Sequence, residues 1–89
     1  MLGQCQECGA WCNLEEHHAL YGTANRRICD KYKEFKFKLC LECHNSSNGV
    51  HGKNGLELNL KLKRISQKIF EKQYGTREEF IKLFGRNYL

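Results

Sequence analysis

The sequence of 89 residues lacks proline, a long apolar run and a recognisable targeting signal. Without proline it has no rigid proline-rich linker, and no repeat or low-complexity tract divides it. No apolar stretch approaches the ~20 residues that a membrane-spanning helix needs, which argues against membrane insertion. The N-terminal MLGQCQEC has neither the basic region nor the apolar segment of a secretory signal. We therefore expect a reducing compartment, the cytoplasm.

Cysteine, in contrast, is abundant, with six residues in a 10.5 kDa chain. A chain this short buries little apolar surface, so it gains from a cross-link or a bound metal. In a reducing compartment the thiols stay free, which favours metal binding over disulfide formation. The composition therefore predicts one small globular protein that a metal ion stabilises.

The net charge of +5 comes entirely from the C-terminal part of the chain. Residues 1–52 carry six Lys/Arg and six Asp/Glu, whereas residues 53–89 carry nine and four. This asymmetry is compatible with an anionic partner such as nucleic acid. Lysines that only solvate the outer face of a helix would give the same pattern. We interpret residues 1–55 as a metal-stabilised core and residues 56–89 as a basic helical extension packed on it.

Hydrophobic periodicity predicts a small α+β fold. Phe and Leu alternate with polar residues from Glu34 to Leu41, which is typical of a strand. Apolar residues then recur at steps of four and three after Leu58, which favours a long helix. Thr76-Arg77-Glu78-Glu79 is a capping-box pattern, and Gly85 would end the helix that it opens. The predicted elements are a tight turn at 5–12, strands at 14–21 and 34–41, and helices at 43–48, 56–74 and 76–84, with a glycine-rich loop at 49–55.

Two CxxC pairs, Cys5/Cys8 and Cys40/Cys43, are the strongest motif in the chain. Each pair presents two thiolates on one side of a turn, and two pairs supply the four soft ligands of a tetrahedral zinc site. A redox dithiol would explain one pair only. We therefore predict a structural Zn²⁺ bound by these four cysteines.

Two cysteines remain outside the pairs. Cys12 has an allowed spacing to replace Cys5 or Cys8 as a ligand, although two complete CxxC pairs favour the first assignment. Cys29 follows an isoleucine and is interpreted as a small buried apolar residue.

All four histidines lie between the first cysteine pair and the basic helix, at positions 17, 18, 44 and 51. His17 and His18 are adjacent, and neighbouring residues of a strand face opposite sides. One of them can therefore bind a metal while the other reaches toward a substrate. His44 directly follows Cys43, so zinc coordination would orient its imidazole.

This order of residues resembles a known family. A CxxC pair, the His17-His18 pair, a polar loop with Asn25, and a strand leading into LCLECHN are similar to the HNH nucleases over residues 5–51. The chain particularly resembles the small phage-encoded members of that group, including the recombination-enhancing, RecA-dependent type. The resemblance implies a ββα-metal, treble-clef core with a structural zinc, followed here by a basic C-terminal helix and a short terminal helix.

The resemblance also implies residue roles. His17 and His44 would bind the catalytic divalent ion, and His18 would be the general base. Asn25 is the candidate for the asparagine that braces the loop of the base, although it lies earlier in the chain than the family pattern has it. Asn48 and His51 follow His44 by four and seven residues, and either could complete the metal site. Helical geometry favours Asn48, whereas ligand chemistry favours His51.

The implied function is a metal-dependent DNA endonuclease or nicking enzyme that hydrolyses phosphodiester bonds in recombination or DNA processing. Imidazole ligands could accept Mg²⁺, Mn²⁺, Ni²⁺ or Zn²⁺ as the catalytic ion. Cationic side chains suited to phosphate contacts are Arg26, Arg27, Lys61, Arg64 and Lys68; for the two adjacent arginines, surface solvation is the alternative.

The expected partners are DNA and a recombinase filament or another phage or host DNA-processing protein, in the cytoplasm of a bacterial host. The chain would act as a monomer or homodimer and without a membrane. Two other functions fit the sequence: a non-catalytic zinc-finger module that binds nucleic acid, and a phage regulator that binds a host protein. Neither needs the histidine pair together with His44.

Overall fold

A computed structural model describes residues 1–22 and 24–89. Within these residues the chain is α+β, as predicted, with two two-stranded sheets and four α-helices. None of the helices described is long and apolar enough to span a bilayer. The elements in chain order are β1 (Leu2–Gln4), β2 (Trp11–Asn13), β3 (Glu15–His18), α1 (Asn25–Cys29), a 3-10 turn (Lys33–Phe35), β4 (Lys36–Leu39), α2 (Leu41–Asn45), α3 (Leu56–Gln73) and α4 (Arg77–Phe84).

The chain divides into two compact units. Residues 1–17 and 37–59 form the first, which we call the cysteine unit, and residues 18–36 and 60–89 form the second, the aromatic unit. Residues 18–36 therefore belong to the same compact unit as the C-terminal helices. The functional division into a core at 1–55 and an extension at 56–89 stays a prediction.

The cysteine unit begins with a hairpin. Strands β1 and β2 pair antiparallel, with Gly3 opposite Cys12, and the turn between them carries the first CxxC pair. The backbone N–H of Gln6 in this turn donates to the carbonyl of Lys38 in β4, at 2.9 Å. The turn was predicted but the strands were not, because three residues are too few to show an alternating pattern.

A second sheet pairs β3 with β4. In β4 the side chains of Phe37 and Leu39 are buried, and Lys36 and Lys38, which alternate with them, are half-exposed, which is the alternation expected from the sequence. In β3 the buried position is His17, which is only 1% exposed. An imidazole thus occupies the core-facing position of this strand, where an apolar residue is usual.

The aromatic unit is built around a core of phenylalanines. The buried residues of this core cluster are Leu20, Cys29, Phe35, Phe70, Phe80 and Phe84. The ring of Tyr32 stacks on Phe35 with 4.9 Å between centroids. Cys29 is fully buried, as predicted, and its thiol donates to the carbonyl of Phe35; burial raises the pKa of this thiol. Helix α1, which contributes Cys29, was not predicted because five residues show no helical period.

Helices α3 and α4 lie within one residue of their predicted bounds. In α3 the buried face includes Leu62, Ser66 and Phe70, at steps of four. The two halves of the capping box are present in α4: Thr76 Oγ1 accepts from the Glu79 N–H at 3.1 Å, and Glu79 accepts from the Thr76 N–H at 2.9 Å. Gly85 ends the helix with a φ of 79°, a left-handed conformation that favours glycine.

The Thr76 cap gives the first testable prediction. Replacing Thr76 with Ala leaves the Glu79 amide without its acceptor, and the free energy of unfolding should fall by about 1 kcal/mol. Thr76→Ser keeps the hydroxyl and should stay close to the wild type. Urea unfolding followed by circular dichroism measures both. Equal stabilities of the Ala and Ser variants would contradict the role of this cap.

Candidate metal centre

The four predicted zinc ligands converge in the cysteine unit. The sulfur atoms of Cys5, Cys8, Cys40 and Cys43 all lie within 4.8 Å of one another, and those of Cys8 and Cys40 are 3.7 Å apart. The two pairs are built alike: the Cys8 amide points at Cys5 Sγ at 3.5 Å, and the Cys43 amide at Cys40 Sγ at 3.4 Å. Four thiols in this arrangement could hold a metal such as zinc, as the spacing predicted.

The pKa values of these thiols are consistent with one cation bound by all four cysteines. Burial disfavours the Cys5 thiolate, but backbone N–H groups of Cys8, Cys40 and Glu7 donate to its sulfur and lower its pKa to about 6. At Cys43, burial and then the neighbouring cysteines raise the pKa. The Cys5 thiolate therefore forms readily. All four thiols ionise only when a bound cation compensates their negative charge.

Cys12 lies outside this group of four. It is on β2, half-buried, and its thiol donates to the carbonyl of Ala10 at a sulfur–oxygen distance of 3.9 Å. Burial, followed by the charges of Cys40, Cys5 and Cys8, raises its pKa. The structure thus favours the assignment with two complete CxxC pairs.

The cysteine group gives the second prediction. Cys43→Ser removes one of four soft ligands, so the purified protein should lose its zinc and unfold at a lower temperature, because zinc binding contributes on the order of 10 kcal/mol to folding. Cys12→Ser is the matched control and should keep one zinc per chain. Metal analysis and circular dichroism make the comparison. Full zinc content in Cys43→Ser would refute the assignment.

A second possible metal site in the cysteine unit consists of three histidines. One ring nitrogen each of His17, His44 and His51 lies within 4.8 Å of the others, and the ring centroids are 4.7–5.2 Å apart. Each histidine comes from a different part of the fold: β3, α2 and the loop after α2. His17 is buried, His44 is half-buried and His51 is exposed, so the cluster opens to solvent at His51.

The loop at 46–55 is folded back on itself in a way that brings His51 to the cluster. The His51 amide donates to the carbonyl of His44 at 3.1 Å, and the Val50 amide to that of Cys43 at 2.8 Å. A Cβ atom on Gly52 would collide with the Ser46 carbonyl oxygen, and one on Gly55 would collide with the oxygen of Gly49. This path is therefore open only to glycine at these two positions.

The sequence left Asn48 and His51 as alternatives for the third ligand. The structure groups His51 with His17 and His44. Asn48 lies on the exposed side of the loop, where its side-chain oxygen accepts from Asn54 Nδ2 at 3.2 Å.

Glu15 orients the His44 ring. Its Oε1 lies 2.9 Å from His44 Nδ1 and also accepts from Asn45 Nδ2 at 2.8 Å. A carboxylate only accepts, so His44 Nδ1 carries the proton and Nε2 keeps the lone pair that a metal needs. Glu15 was not among the predicted residues. The sequence gives one indication of this role: Glu15 lies two residues before His17, which places both side chains on the same face of β3.

The proposed base His18 belongs to the aromatic unit with its partner Asp30. His18 Nε2 lies 3.0 Å from Asp30 Oδ1, and Lys36 Nζ lies 3.4 Å from the same oxygen. The hydrogen bond from His18, followed by Lys36, lowers the pKa of Asp30. The carboxylate is therefore ionised at neutral pH and accepts a hydrogen bond from His18 Nε2.

The other predicted residues are in the aromatic unit. Asn25, the candidate motif asparagine, starts α1 and donates its side-chain amide to the carbonyl of Phe84 at 3.0 Å. This bond ties α1 to the end of α4, and a role for Asn25 in bracing the base stays a prediction. The predicted phosphate-binding cations are all exposed: Arg26 and Arg27 on α1, and Lys61, Arg64 and Lys68 on α3.

Comparison with known proteins adds no family assignment: no protein-family model, curated protein or solved structure matches this chain. The function is therefore inferred from the residues and their geometry.

The Glu15–His44 contact gives the third prediction. Glu15→Gln removes the charge that holds the His44 proton on Nδ1, so affinity for Ni²⁺ at the histidine cluster should fall about tenfold. Glu42→Gln removes the same charge from an exposed residue of α2 and should leave the affinity unchanged. Titration calorimetry of zinc-loaded protein with Ni²⁺ measures both. Equal affinities of the two variants would contradict the role of Glu15.

Proposed function

We propose that the chain is a metal-dependent HNH-type endonuclease or nicking enzyme that hydrolyses DNA phosphodiester bonds. The observation that carries the proposal is the cluster of His17, His44 and His51, formed in the same unit as the four cysteines. A purely structural zinc site needs four ligands, and the cysteines supply them. A second set of metal-binding side chains that opens to solvent favours a catalytic ion.

The three imidazoles would hold a divalent ion, Mg²⁺, Mn²⁺, Ni²⁺ or Zn²⁺, with the softer ions favoured by nitrogen ligands. Such an ion supplies Lewis-acid stabilisation of the charge that grows on the phosphate and the leaving oxygen. The chain itself orients the ligands: His17 is fixed by burial in β3, and His44 by Glu15. Neutral imidazoles also add no negative charge that would repel the phosphate.

His18 would take the proton of the attacking water. Its Nε2–H is held by Asp30, so the basic lone pair is on Nδ1. The ionised carboxylate of Asp30 then stabilises the imidazolium that forms when His18 accepts the proton. Asp30 thereby acts on the reaction through His18, without contacting the substrate.

Exposed cations would hold the DNA, as proposed for Arg26, Arg27, Lys61, Arg64 and Lys68. One chain has one histidine cluster among the described residues, so a monomer would nick a single strand. A module this small has few side chains for reading base edges. We propose that DNA structure or a recombination partner, such as a recombinase filament, directs the cut.

A nucleic-acid-binding zinc module without catalysis, including a phage regulator, is the second candidate. The observation that favours it is the position of Asn25, whose side chain bonds a helix carbonyl in the aromatic unit. In this case the histidines would bind a metal without hydrolysis.

The fourth prediction separates these functions. Wild-type protein should nick supercoiled plasmid in the presence of Mg²⁺, Mn²⁺ or Ni²⁺. His18→Ala should lower the rate by roughly 10²–10⁴-fold through loss of the base. His51→Ala should lose activity with its metal, whereas Asn48→Ala, a change in the same exposed loop, should keep it.

Two outcomes would contradict the proposal. Absence of nicking with every metal would leave the binding module as the function. Nicking that survives His18→Ala would exclude His18 as the base while keeping the enzyme.

A further inference from the structure

Three cationic side chains of the aromatic unit converge on Tyr88. Lys63 Nζ lies 4.5 Å from the ring centroid of Tyr21 and 5.5 Å from that of Tyr88. The guanidinium carbon of Arg86 is also 5.5 Å from the Tyr88 ring, and Arg64 Nε donates to the Tyr88 carbonyl at 3.3 Å. We call Lys63, Arg64 and Arg86, with the two tyrosines, the Tyr88 cluster.

Buried residues hold the centre of this cluster in place. The Tyr88 amide donates to Gln67 Oε1 at 2.7 Å, and Gln67 is fully buried on α3. Gln67 also donates to Asn87 at 2.8 Å, and the Tyr88 ring lies edge-on to Phe80 of the core. These contacts therefore hold the Tyr88 ring in place beside the three cations.

The cluster has no internal counter-charge. Among the described residues, none of its three cations is within ion-pair distance of a carboxylate. The acids in ion pairs of the same unit, Asp30 and Glu71, have other partners. Burial and then the charge of Arg86 lower the pKa of Lys63.

Like charges held together destabilise a fold unless an anion joins them. Arg64 and Arg86 are exposed and Lys63 is half-buried, so an external anion can reach the group. A phosphate diester suits these donors, because guanidinium groups bond two phosphate oxygens at once and an ammonium adds a point charge.

We propose that the Tyr88 cluster is a binding site for a backbone phosphate of nucleic acid. The choice of DNA as the polymer rests on the proposed function. The cluster adds Lys63 and Arg86, which the sequence had not singled out, and it assigns Arg64 to a particular phosphate. The tyrosine rings beside the cations provide flat faces for the adjoining nucleotide.

The fifth prediction tests this site by binding of DNA rather than by cleavage. Zinc-loaded full-length protein, without a second divalent ion, is titrated into a labelled DNA duplex and followed by fluorescence anisotropy from about 50 to 200 mM salt. Lys63→Gln and Arg86→Gln should each weaken binding several-fold and reduce the slope of log affinity against log salt by about 0.9. Lys72→Gln and Lys82→Gln remove the same charge from exposed positions of this unit and should change the slope little.

The outcomes separate this proposal from its alternatives. Equal effects of the cluster variants and the controls would overturn it, since the cations would then act only through net charge. Loss of stability in Lys63→Gln without loss of DNA binding would also overturn it and leave cation–π packing as the role. A change in inorganic phosphate binding at matched ionic strength, with DNA affinity unchanged, would identify a free-phosphate site instead. If the protein binds DNA through the cluster but does not nick it, the proposed nuclease function is refuted and the proposed phosphate site stands.

Discussion

The convergence of four thiols is the constraint on which the cysteine unit depends. Its strands have three or four residues and α2 has five, and elements this short do not persist alone in water. The cysteine group joins residues 5–8 to residues 40–43 across the sequence. Backbone bonds from Val50 and His51 to residues of α2 then extend this order to the next loop. The histidine cluster therefore depends on the cysteines without sharing a ligand with them.

The parts of the fold that could be predicted from the sequence are those with local signals. Helix α3 is long enough for its apolar period to show, and α4 carries both halves of a capping box. The β1–β2 hairpin and α1 have too few residues for a period, and contacts distant in sequence stabilise them. Cys29 illustrates the limit of local sequence patterns, because its burial was predicted but the helix that contains it was not.

The candidate site divides in the same way. The CxxC spacing predicted the cysteine group, and the histidine pattern indicated His17 and His44. The choice of His51 over Asn48 depended on how a glycine-rich loop folds back, which no local pattern encodes. Glu15 and Asp30 contact histidines that are 29 and 12 residues away in the chain. Such partners become visible only when the strands and helices are packed.

Gly55 has a further consequence for how this site can change. Its packed backbone closes the loop that carries His51, and its carbonyl also accepts the first bond of α3, from Asn59 at 2.9 Å. The backbone at this glycine therefore has no room for a side chain, whereas the side chain at position 51 is exposed. We expect metal preference to be adjustable in evolution or design by exchanging residue 51 for a carboxylate or thiol, whereas insertions and deletions in this loop would be rejected.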